Sequence, residues 1–383
     1  MRLINLYNDK RNMYKFIRNE KGELKIETDN SFFPYYYTQD PNGEFKSFDG
    51  KSLRKVFVSN PGDIRKRRQD TDYEADLLFT KRYMIDKVKQ LDKCPIKIAW
   101  VDIEVQAPEM PDATKAKYPI SCISVGNSFT KVIKTFWLPN YKSEYELITD
   151  FINFMKTEEF DLMVGWNMVL FDYPYMYNRY PDLAEKLSII GKSRYGQYDI
   201  NYPAGISVVD YYTWFKKITL NREPSYKLDD IAQKYLKDKE WGRSDFGKLT
   251  DDIRLKNIND IKRMMKLEEK FKIIAYYDKL RRLSKVEWED MIYNMRIIDM
   301  LLLAEAKNQN VILPMQPKEE RGTLEDKAEF EGAYRDALKL GCFTDGVGSY
   351  DLSSAYPSMI VDFCLDPSNI HVLTRDYEKE DKF

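Results

Sequence analysis

At 383 residues, 43% hydrophobic and 14% aromatic, the chain is long enough for two or three domains with cores of their own, which excludes a disordered or fibrous protein. Lys+Arg of 61 against Asp+Glu of 62 leaves a formal charge of -1, so any nucleic-acid footprint must be local, as in IRKRRQ at 64–69 or KLRRLSK at 279–285, runs that suit solvated faces at least as well. A single histidine, His371, and four cysteines without a CxxC pair exclude Ser-His, Cys-His and zinc-knuckle chemistry and leave carboxylates, lysines, tyrosines or a bound metal.

The scattered cysteines predict a reducing compartment. The charged start MRLINLYNDKRNMYKF and the lack of any run near the roughly 20 apolar residues of a membrane span predict a cytoplasmic protein with no membrane partner. Residues 1–94 alternate short polar-apolar runs with Gly and Asn turns, a β-rich meander that closes in the helical YEADLLFTKRYMIDKVKQL. KIAWVDIEV, ISCISVGNSF and KVIKTFWLP then predict three strands. Ser143 and Glu146 make a capping box for a helix with Leu147, Ile148, Phe151, Ile152 and Met155 on one face. FDLMVGW predicts a fourth strand, and 172–190 a further helical stretch. Three strands, helix, strand, helix is the order of an α/β domain closed by a parallel crossover, as in ribonuclease H-like folds. ISVVDYY is a further strand, three long amphipathic helical stretches follow, and the polar 317–330 is a linker before the Gly-rich turn DGVGSYDL.

Carboxylates are the candidates for chemistry. In KIAWVDIEV a period of two sets Ile98, Trp100, Asp102 and Glu104 on one face and Ala99, Val101, Ile103 and Val105 on the other. Both faces are largely apolar, so the strand is central, and two acids side by side at its end either hold a cation or mark where it surfaces into solvent. Asp172, two residues before Pro174, suits a helix N-cap. Asp260 sits where a helix could begin and is favoured there by the helix dipole alone. Asp299, within RIIDMLLLAEA, is a weaker candidate.

VDIEV, GWNMVLFDYPYMYNR, KNINDI and YDLSSAYPSMI, in this order, resemble the N-terminal half of a family B DNA polymerase of archaeal or viral type. YEADLLFTKRYMID, MIYNMRIIDMLLLAEAKNQNVILP and FEGAY extend the resemblance over nearly the whole chain. It implies a mixed α/β protein: an N-terminal β-rich domain (1–94, returning at 302–345), a ribonuclease H-like 3′→5′ exonuclease domain (95–301), and the first strand of a polymerase palm (346–383).

The resemblance implies that Asp102, Glu104, Asp172 and Asp260 hold two Mg²⁺ or Mn²⁺ ions per exonuclease site and hydrolyse the 3′ end of single-stranded DNA, in proofreading during replication. Asn167 and Phe171 would contact the frayed strand. Asp351 and the Leu352 carbonyl would bind the metals of synthesis on a primer-template, with Ser353, Ser354 and Tyr356 around the nucleotide. The second palm acid, fingers and thumb have no counterpart here and would come from a second polypeptide or a C-terminal half. One departure stands out: the family's third exonuclease motif carries Tyr four residues before its Asp, and this chain carries Lys256, a possible water-positioning group that cannot accept a proton from water. Two alternatives follow: a weakened single-stranded-DNA scaffold for a partner chain, or a metal-dependent exonuclease acting on RNA.

Overall fold

The computed structural model describes residues 2–196, 199–219, 223–238, 247–315, 336, 339, 341–346, 348 and 350–365. The predicted linker, the FEGAY connection and the end of the predicted palm segment, with His371, lie outside these. The chain divides into Met1–Lys318 and Glu319–Phe383.

In the first unit, Leu3–Asp9 (β1), Asn12–Arg18 (β2) and Leu24–Asp29 (β3) form the expected antiparallel meander. Tyr35–Gln39 (β4), Phe45–Ser47 (β5) and Ser52–Phe57 (β6) belong to a second sheet, followed by helices Pro61–Arg67 (α1) and Phe79–Lys87 (α2). Next come Ile98–Val105 (β7), Ile120–Asn127 (β8), Ile133–Trp137 (β9), Glu144–Glu158 (α3), Leu162–Gly165 (β10), Asp172–Arg179 (α4) and Leu183–Leu187 (α5). A short hairpin, Ser193–Tyr195 (β11) and Asn201–Pro203 (β12), leads to Ser207–Asp210 (β13). Helices Tyr211–Ile218 (α6), Leu228–Leu236 (α7), Asp251–Phe271 (α8), Ile273–Ser284 (α9) and Asn294–Asn308 (α10) follow, and Val311–Ile312 (β14) pairs in parallel with β5. No helix among the described residues is long and apolar enough to cross a membrane.

The functional sheet has the order β13-β10-β7-β8-β9, with β10 parallel and β8 antiparallel to β7. This is the predicted strand-helix order, and β7 is central because both its faces are apolar. Ala99, Val101, Ile103 and Val105 pack with Leu147, Ile148, Phe151 and Met155 of α3 in one core. Ile98 and Trp100 pack on the other side with Ile261, Met264 and Leu267 of α8. Helix α3 starts as predicted: Glu146 N donates to Ser143 Oγ, 3.2 Å, though the Glu146 carboxylate accepts from Lys142 N rather than from the cap residue itself.

Two pairing details shape what lies at the end of β7. Strand β10 pairs only as far as Val164 opposite Trp100, so among the described residues no strand pairs with that edge of β7 beyond Trp100. On the other edge, Trp100, Asp102 and Glu104 stand opposite Gly126, Ser124 and Cys122 of β8. These small residues make room for α8. A Cβ on Gly126 would lie 2.6 Å from Ile261 Cγ2 and 2.9 Å from Met265 Sδ, so only glycine lets the helix come this close.

The N-terminal meander is tied to this sheet by a buried ion pair. Arg18 Nε and Nη2 donate to Asp161 Oδ2 and Oδ1 at 2.8 and 2.9 Å, both side chains being 2% exposed. Asp161 Oδ2 also accepts from Lys97 N at 2.7 Å, just before β7. Arg18→Met leaves a buried carboxylate without its cation, and the expected loss is about 3–5 kcal/mol in urea unfolding. A loss below about 1 kcal/mol, the range of an exposed pair, would show that the pair does not anchor the meander.

In the second unit the residues around Asp351 form no strand among those described; Asp351 and Leu352 precede a turn and the helix Ala355–Asp362 (α11).

Candidate active site

Helix α8 meets the end of β7 with one face that changes character along its length. Its C-terminal half supplies Ile261, Met264 and Leu267 to the core above Trp100. One to two turns earlier the same face carries Lys256, Asn257 and Asp260, which fall over Asp102 and Glu104. Asp260 is therefore in the middle of a 21-residue helix whose first turn holds Asp251 and Asp252, not at a helix start as its sequence suggested. Its burial is not a dipole effect but the result of the strand beneath it.

Carboxylate oxygens of Asp102, Glu104 and Asp260 lie within 4.8 Å of one another, the latter two buried. Asp172 joins them from the other side. It is the first residue of α4 and makes no cap; instead its Oδ1 accepts from Ile103 N at 3.2 Å. This is an amide that the pairing of β10, which stops opposite Trp100, leaves free, so a backbone requirement holds Asp172 within electrostatic reach of Asp102 and Glu104, outside the 4.8 Å group. Asn257 Nδ2 donates to Asp102 Oδ2 at 2.6 Å, and Cys122 Sγ donates to Asn257 Oδ1 at 3.3 Å. Lys256 Nζ donates to Glu104 Oε1 at 3.0 Å and Asp260 Oδ2 at 2.9 Å. Arg263 Nη1 donates to Asp260 Oδ1 at 3.1 Å, and the same guanidinium reaches Asp238 at 2.8 Å and Asp229.

Burial, then the charges of Asp172, Asp260 and Glu104, pushes the Asp102 carboxyl well above the usual range. Burial raises Asp172 to about 7 against the pull of the Ile103 amide, and raises Glu104 despite Lys256. Burial works against the Lys256 charge, but Glu104, Asp260 and Asp102 together hold its pKa above the ordinary value. A cluster in which carboxylates resist ionising side by side is one that a cation completes.

Asn167 and Phe171 flank Asp172 on the loop after β10. Asn167 takes a left-handed backbone, φ 67°, and its N–H donates to Asp210 Oδ1 at 3.1 Å. Phe171 is half-buried with its ring 5.6 Å from that of Tyr175. Asp299 is exposed on α10, away from any such cluster. Sequence reasoning passed over Asn257 and Arg263. Both were legible as residues three before and three after Asp260 on one helix face, the spacing at which side chains meet.

A family model for the exonuclease domain of DNA polymerase family B matches residues 57–231. The DNA-directed DNA polymerase of Escherichia phage RB69 is 25% identical over 398 residues, 85% of this chain and 42% of its own. DNA polymerase 1 of Pyrococcus abyssi is 23% identical over 424 residues, 95% of this chain and 54% of its own. The chain is similar to family B DNA polymerases over most of its length. It spans about half the length of these curated relatives. The solved family B DNA polymerase of Pyrobaculum calidifontis shares the fold, with a TM-score of 0.69 over 84% of this chain and 52% of that one at 18% identity. The family B exonuclease match contains Asp102, Glu104 and Asp172 and stops in α7, so Asp260 and Lys256 are placed at the site by the geometry of α8. Of the residues expected to serve synthesis, Asp351, Leu352, Ser353, Ser354 and Tyr356 are all exposed in the second unit, Ser354 with φ 53° at the start of α11.

Proposed function

We propose that this chain is a divalent-metal-dependent 3′→5′ exonuclease for single-stranded DNA, the proofreading part of a family B DNA polymerase working in the replication compartment. Residues 95–301 are its exonuclease domain, 1–94 with 302–345 its N-terminal domain, and 346–383 the start of a palm. The observation that carries this reading is the convergence of Asp102, Glu104 and Asp260 within 4.8 Å, with Asp172 bonded to the backbone between the first two.

The donor set fits Mg²⁺ or Mn²⁺: hard oxygens only, from a strand and two helices, buried and mutually repelling. A pair of ions is what the sequence resemblance implies. Bound there, a divalent ion polarises the phosphate and lowers the pKa of an attacking water. The chain's own groups do the positioning. Asn257 fixes the Asp102 carboxylate, the Ile103 amide fixes Asp172, and the Phe171 ring offers a stacking face worth about 1–3 kcal/mol per base. Asn167, on the loop that Asp210 pins, is the polar contact to the frayed strand.

The test is incubation of 5′-labelled single-stranded DNA and RNA with Mn²⁺ or Mg²⁺. DNA shortened stepwise from its 3′ end with release of mononucleotides, and no reaction in a chelator, is the expected result. Shortening from the 5′ end, or RNA degraded in preference to DNA, would overturn the reading. The ion pairs of Lys256 favour one rival, a single-stranded-DNA scaffold with little turnover, for which retention of the DNA without a ladder is the signature.

A further inference from the structure

On Asp260 both carboxylate oxygens are already engaged by cations of its own helix. Lys256, one turn before, holds Oδ2 at 2.9 Å, and Arg263, one turn after, holds Oδ1 at 3.1 Å. Neither is a loose surface contact. Arg263 is 1% exposed and is held by Asp229 and Asp238 as well, and the Lys256 side chain is 21% exposed with its ammonium stretched across to Glu104 Oε1 at 3.0 Å. Charge-assisted bonds of this length, away from bulk water, are the strong kind.

The oxygens of the cluster for which no hydrogen bond is seen among the described residues are Asp102 Oδ1, Glu104 Oε2 and Asp172 Oδ2. They belong to β7 and the start of α4. An ion placed between Asp260 and Glu104 would have to evict the ammonium from the two oxygens it occupies. Two cations cannot share one pair of oxygens, and like charges so close repel.

We propose that Lys256 is a built-in cation of this centre: its ammonium, bridging Glu104 and Asp260, takes the place of one divalent ion, so the site takes up a single Mn²⁺ or Mg²⁺ instead of a pair. This deepens the exonuclease reading and rests on it. Lys256 is then a positioning residue, which holds Glu104 and Asp260 as a metal would and supplies fixed positive charge without exchanging with solvent.

The experiment counts Mn²⁺ bound per full-length chain from the loss of the free-ion electron paramagnetic resonance signal, on the parent, Lys256→Tyr, Lys256→Met and Lys256→Arg, each first shown to be folded by circular dichroism. One ion is expected for the parent and for Lys256→Arg, which keeps the charge. Two are expected for at least one of the neutral variants, of which Tyr also fills the volume. A parent that binds two ions, or neutral variants that both still bind one, would overturn the inference. The two readings fail differently. A parent that binds two ions and degrades DNA keeps the exonuclease and loses only the role of Lys256, while a parent that binds no Mn²⁺ brings down the metal centre altogether.

Discussion

Asp102→Asn is expected to slow mononucleotide release by about 10³-fold or more while making the metal-free protein harder to unfold. The loss follows from removing a carboxylate that holds the ion: transition-state stabilisation from a bound metal is worth several kcal/mol, and about 4 kcal/mol is about 10³ in rate. The gain follows from the same crowding. Asp102 is raised by burial and by three neighbouring carboxylates, and an amide in its place relieves that repulsion while Asn257 Nδ2 still finds an oxygen to donate to; about 1 kcal/mol is the scale of one pKa unit of relief. Single-turnover hydrolysis and urea unfolding in a chelator read the two halves. A variant that keeps a tenth of the parent rate would show that Asp102 is not at the reacting centre.

The other large effect concerns Asp351. If Asp351 is the first palm acid, as the resemblance implies, residues 1–383 by themselves are expected to add no nucleotide to a primer, because metal-assisted synthesis needs carboxylates from more than one strand. A polypeptide equivalent to the half of the relatives that this chain does not match, carrying the remaining palm acids, fingers and thumb, should restore synthesis, and Asp351→Ala should remove it again by about 10³-fold or more. The second unit leaves apolar side chains exposed among its described residues. Helix α11 is eight residues long and buries none of them, leaving Tyr356, Met359, Ile360 and Val361 exposed, with Phe363 and Leu365 just beyond. So short a helix is marginal in water without tertiary packing. Primer extension by this chain unaided, or by the pair with Asp351→Ala at near the parent rate, would refute this.

The parts of the molecule legible in advance were those where pattern and packing agree. Strand β7 reads as central because both faces are apolar, and α3 reads as a helix because its cap and its period coincide. Helix α8 was harder. Its start at Asp251 carries acids suited to a first turn, but the polar stretch Lys256, Asn257, Asp260 interrupts the apolar stripe at just the point where the helix leaves the core and crosses the acids, so the pattern suggested a boundary where there is none. The resemblance alone singles out Lys256, and its contacts are not legible in the residues themselves. A lysine four residues before an aspartate is an ordinary surface pair on any helix, and only the strand beneath, with Glu104 at 3.0 Å, makes it part of the site. Strand β10 shows a third limit: nothing in FDLMVGW announces that pairing stops opposite Trp100, yet that early stop frees the amide that Asp172 takes.

The first strand of the chain has neighbours that are synthesised very late. Asn5 Nδ2 donates to the carbonyls of Asp161 and Gly205 at 3.2 and 2.8 Å, and Arg281 donates to the carbonyls of Leu3 and Ile4, residues 278 and 277 positions earlier. Leu3 and Leu6 share one core with Trp100, Val209 and Ile274. Beyond early partners such as Met13, Phe32 and Tyr35, these later members of the core emerge only about 100 to 270 positions after β1, and closing a loop of this length is entropically costly before any contact rewards it. Folding of the first unit is accordingly expected to wait for α9, and the N-terminal segment to depend on chaperone protection during translation, at a synthesis rate of about 5–20 residues per second.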